Sequence, residues 1–114
     1  MLKLGKVIRK ENEEVMKEEG ALALVVQKIQ LDEANSYKNN EELFKALSGY
    51  LEYLIQTDFN KLVSILYRID VSEQKVKKAL ANNLSKIPAG QIIARLLIER
   101  EEEKIKIRAK YSKR

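Results

Sequence analysis

Three observations predict an all-α chain. Proline occurs once and glycine four times in 114 residues, the helix formers Leu, Ala, Glu and Lys are abundant, and apolar residues recur at spacings of three and four. The expected architecture is a small antiparallel helical bundle of four to five helices with a long amphipathic C-terminal helix. One domain of this size can bury a single core. Within it the sequence divides into an N-terminal arm over 1–11, the bundle over 12–103, and a basic end of the last helix over 104–114.

The N-terminal arm carries Lys3, Lys6, Arg9 and Lys10 and lacks an apolar run closing on small residues. No cleaved secretion signal is expected, and the cytoplasm is the expected compartment. A first helix is expected from about Glu13 to Asp32, with Leu22, Val25, Val26 and Ile29 facing inward and Gly20 as an internal weak point. Leu22 to Ile29 is short and partly β-branched, so it also reads as a strand, but a lone strand has no partner here. The segment from Asn12 to Lys17 matches that from Asn40 to Lys45. Two helix starts with the same chemistry account for the match better than a duplicated unit, because it decays after six residues.

Asn39 and Glu42 resemble a capping box and predict a helix start. Leu43, Phe44, Leu47, Tyr50, Leu51, Leu54 and Ile55 then form one apolar stripe, with Glu42, Lys45, Ser48, Glu52 and Gln56 opposite. Thr57 and Asp58 signal a second start, followed by Phe59, Leu62, Val63, Leu66 and Ile69; one continuous helix from Glu41 to Ile69 is the alternative. Asp70 and Glu73 read as a further capping box, ahead of a short helix with Val76, Ala79, Leu80 and Leu84 inward and Lys75, Lys77 and Lys78 outward. Pro88 suits the first position of a last helix running to about Tyr111.

The composition excludes much chemistry. With no cysteine or histidine, the chain builds no disulfide, zinc finger, Ser-His-Asp triad or Cys-His pair. Gly5, Gly20, Gly49 and Gly90 are isolated, so there is no phosphate-cradling loop. Glu99 and Glu103 lie one turn apart with Glu102 beside them, and are expected to form a solvated face paired with Lys104, Lys106 and Arg108 rather than a metal site. No metal, cofactor or enzymatic activity is expected. No uncharged stretch exceeds eight residues, Ile87 to Ala94 being one, whereas a membrane span needs about 20.

Two binding functions remain. Ile92, Ile93, Leu96, Leu97 and Ile98 occupy more than half the circumference of the last helix, so a further surface is expected to cover them. A non-enzymatic protein–protein interaction module follows, most simply a twofold homodimer, with Tyr53, Ile93, Leu97, Ile98, Ile105 and Tyr111 as interface residues. The alternative is nucleic-acid binding. The formal charge is +5, and its excess is C-terminal: Lys104, Lys106, Arg108, Lys110, Lys113 and Arg114 follow Glu103 with no acid among them. The helices from Asp58 to Leu84 superficially resemble a helix-turn-helix, yet Gln74 is the one clear base reader at the start of the second.

Overall fold

The computed structural model describes residues 20–31, 39–84 and 86–112. These form α1 over 20–29, α2 (Asn40–Thr57), α3 (Phe59–Ile69), α4 (Glu73–Ala81) and α5 (Ala89–Ser112). The fold is a small all-α bundle closed by a long last helix, and no strand occurs among the described residues. Leu22 to Ile29 is helical, which removes the strand alternative, and its four predicted inward residues are all buried. The predicted start of that helix at Glu13 lies outside the described residues, as does the arm over 1–11.

Local chemistry sets most boundaries. The Asn39 side chain accepts from the Glu42 N–H at 2.9 Å and starts α2. Asp58 accepts from the Lys61 N–H at 3.1 Å, so α2 and α3 are separate helices. The break restarts the apolar phase: Phe59, placed in the stripe by spacing, opens α3 on its exposed side, while Ile65 is buried. Ser72, not Asp70, caps α4, accepting from the Lys75 N–H at 3.1 Å. Asp70 instead closes α3.

It does so in the left-handed conformation, at φ 68°. The Asp70 N–H donates to the Tyr67 carbonyl at 3.2 Å and the Val71 N–H to the Leu66 carbonyl at 2.9 Å, while Val71 turns into the core. Gln30 ends α1 the same way at φ 56°, with bonds from Gln30 N–H to the Gln27 carbonyl and from Leu31 N–H to the Val26 carbonyl, both 3.2 Å. This stops α1 short of the predicted Asp32. Helix α4 is also shorter than its stripe suggests: it ends at Ala81, and Leu84 stands in the following loop, 95% exposed. Asn83 organises that loop, donating from Nδ2 to the Ile87 carbonyl at 2.6 Å and accepting the Ile87 N–H at 3.1 Å.

Pro88 lies just before α5 rather than at its first position, and its carbonyl accepts from Gln91 and Ile92 at 3.0 and 3.2 Å. The α5 start packs against α2. A Cβ at Gly90 would lie 2.3 Å from the Ser48 carbonyl oxygen and 2.7 Å from the Glu52 nitrogen, so only glycine permits this approach. The Gly90 N–H donates to Glu52 Oε2 at 2.6 Å, placing a carboxylate at the positive end of α5. Further along, the Arg95 guanidinium lies 5.3 Å from the Phe44 ring. Since α5 advances while its α2 partners step back, the two helices are antiparallel. Leu47, Leu51 and Leu54 of α2 meet Ile93, Ala94 and Leu97 of α5 in the same core as the α1 and α3 stripes.

Candidate interaction surfaces

Past Leu97, the inward face of α5 becomes charged. Glu101 is fully buried, four residues on, where apolar spacing would place another core residue. Its Oε1 accepts from Lys28 of α1 at 2.6 Å and lies 3.5 Å from Lys104, while Oε2 has no hydrogen-bond partner among the described residues. Lys104 also donates to the Ile69 carbonyl at 2.6 Å, covering a carbonyl at the end of α3. Arg68 reaches from α3 to the Lys28 carbonyl at 2.9 Å. Helices α1, α3 and α5 are therefore joined by one polar junction.

Arg100 completes it on the outer side. It donates to Asp70 Oδ2 at 2.9 Å, to the Asp70 carbonyl at 3.2 Å and to Glu103 Oε2 at 3.1 Å. The hydrogen bond from Arg100, then its charge, holds the Asp70 carboxyl below its ordinary 3.8. The hydrogen bond to Asp70 in turn raises Arg100.

Next to this clamp lies a surface hollow of about 450 Å³, lined by Leu66, Tyr67, Asp70, Val71, Lys75, Arg100 and others. A second, of about 360 Å³, adjoins it over Leu66, Tyr67, Val71, Ser72, Glu73 and Gln74. Tyr67, 76% exposed, borders both.

The sequence-predicted interface residues do not share one surface. Ile93 and Leu97 are 1% and 0% exposed, covered within the chain itself, so neither offers area to a partner. The broad apolar girth of α5 is met by several helices at once: Leu96 and Ile98 also pack against the core, half-buried. Ile98 and Ile105, seven residues apart, share a half-buried stripe. Tyr53 stands exposed on α2, and Tyr111 at the far end of α5.

Every residue from Lys106 to Tyr111 is exposed, including Ile107. Of the predicted phosphate contacts, Lys104 is committed to Glu101 and Ile69; Lys106, Arg108 and Lys110 are exposed; Lys113 and Arg114 lie outside the described residues. Of the acids expected on a solvated face, Glu103 pairs with Arg100 rather than with a lysine of the tail. Sequence reasoning missed Arg100 and the burial of Glu101, and read Tyr67, with Tyr50 and Tyr53, as a core-edge residue sooner than an exposed one; the one available signal for Glu101 was that it continues the Ile93–Leu97 stripe at four-residue spacing.

Among the described residues, no group of three or more acidic, His or Cys side chains is placed to hold a metal ion, and no helix is long and apolar enough to cross a membrane. No family model, curated protein or solved structure matches the chain.

Proposed function

We propose that this chain is a non-enzymatic helical interaction module that self-associates through the exposed end of α5. The observation carrying the proposal is that Ile107 and Tyr111, one helical turn apart, are 48% and 64% exposed on a stretch whose other residues are exposed as well. The exposed part of such an apolar pair gains burial from a second surface. The occupant is a second copy. An i, i+4 pair is self-complementary across a twofold axis, where antiparallel helices set Ile107 of one protomer against Tyr111 of the other.

The contact is small, which makes the dimer weak. Lys106, Arg108 and Lys110 flank the pair and oppose each other between copies, so association strengthens as salt screens them. Light scattering over a concentration series, at low and raised salt, tests the reading. Dimer formation that rises with salt and is lost in Ile107→Asp supports it. A monomer at the highest concentration in both salts overturns it, as does a dimer indifferent to that substitution.

A further inference from the structure

Among the described residues, the positive charge falls into two populations. In α1 to α3 and the inner part of α5, cations are used internally. Lys28 and Lys104 serve Glu101, Lys45 lies 3.9 Å from Glu41, Lys61 sits over the Tyr50 ring, Arg95 over Phe44, Arg68 bonds the Lys28 carbonyl, and Arg100 holds Asp70 and Glu103. By contrast, Lys75, Lys77, Lys78, Lys86, Lys106 and Lys110 are exposed and have no ion pair among the described residues. All six belong to α4, the loop after it, and the end of α5.

These two basic stretches adjoin. Lys75 shares the larger hollow with Arg100 and Glu103, and Lys106 follows Glu103 by three residues on the same side of α5. Asp70 and Glu103, the carboxylates of that hollow, both pair with Arg100, and Lys75 on the same lining balances the negative charge that one guanidinium leaves. Glu73 remains on the rim of the smaller one as an exposed acid. At the same place the Tyr67 ring stands 76% exposed beside Leu66 and Val71.

We infer that the α4 face, with Tyr67 at its edge, binds single-stranded nucleic acid. Lysines unspent on internal carboxylates follow a phosphate backbone and release its counterions, and an exposed tyrosine ring offers a stacking platform for an unstacked base. A duplex would hide its bases from Tyr67, and α4 carries only Gln74 among base-reading residues at its start, so contact is to backbone and ring with little sequence preference. This inference is independent of self-association through α5, since it needs neither Ile107 nor Tyr111.

Fluorescence anisotropy of the full chain with a labelled oligothymidylate of about 20 nucleotides tests it, circular dichroism confirming helix content in each variant. The wild type binds at about 50 mM salt, and its affinity falls with a log–log slope of about −2 to −4. Lys77→Glu/Lys78→Glu weakens binding about tenfold or more and flattens the slope. Tyr67→Ala weakens it about tenfold with the slope kept, and Tyr67→Phe retains it. Glu73→Gln, a mild surface change, tightens it.

Absence of binding in low salt overturns the inference. Binding indifferent to the α4, Tyr67 and Glu73 substitutions does so too, as does binding abolished by Lys106→Glu/Lys110→Glu alone. Retention on phosphatidylserine vesicles without retention of the oligonucleotide assigns the surface to a membrane and overturns it equally.

Discussion

The Lys28 ammonium lies 2.6 Å from Glu101 Oε1 and joins α1 to α5 across 73 positions of sequence. The carboxylate is wholly buried, whereas the lysine side chain is 34% exposed. The pair is therefore asymmetric: water solvates one partner, and the other depends on the protein for compensation.

That asymmetry sets the outcome of substitution. Lys28→Met leaves Glu101 with Lys104 alone at 3.5 Å, and is expected to cost about 2 kcal/mol, less than for a fully buried pair because Lys28 meets solvent. Adding Glu101→Leu removes the buried charge and extends the apolar stripe of α5, so the double variant regains at least half of the loss. Urea denaturation of the two single variants and the double measures the coupling. A double variant less stable than Lys28→Met would contradict this account.

Two glycines should respond in opposite directions. Gly90→Ala drives a methyl group into the α2 backbone and is expected to destabilise by about 2–3 kcal/mol, since backbone on both sides must move. Gly49 lies inside α2 with no atom within 4 Å of an added Cβ, so Gly49→Ala should stabilise by about 0.5–1 kcal/mol through helix propensity. Thermal melts of both proteins read the signs directly.

Asp70 links stability to acid. Its folded carboxyl titrates below the ordinary 3.8, so the Arg100 contact contributes stability above that pH and loses it as pH falls through the depressed folded value. Asp70→Asn keeps a residue that tolerates the left-handed backbone while deleting the charge. The stability difference between wild type and variant should be constant from neutral pH to about pH 5 and shrink below about pH 4. Denaturation midpoints across that range check it; a difference that grows in acid would contradict the assigned pairing.

Much of the fold is legible in local chemistry, because caps act over three residues. Asn39 and Asp58 do what their spacing indicates. Asp70 misleads for the same reason: it sits three residues before Glu73, but the left-handed turn ending α3 recruits it first, and Ser72 takes over as cap. The surfaces are less legible because burial depends on distant neighbours. Glu101 stands among Glu99, Glu102 and Glu103, which read as a solvated face, and beyond its spacing from Leu97 it is Lys28, far away in sequence, that reveals it as interior. Ile93 and Leu97 invert the case: their helix looks too apolar for one contact, and several contacts within the chain absorb them. The lysines of α4 read correctly as outward, yet which cations are left unspent emerges only when the others are seen at their partners.

The antiparallel seam between α2 and α5 has a consequence for biosynthesis. Translation delivers α1 to α4 before Gly90, Ile93, Ala94 and Leu97 exist, so until α5 arrives Leu47, Leu51 and Leu54 have only the α1 and α3 stripes to pack against and their α5 side is uncovered. During that interval, chaperone capture competes with completion of the bundle.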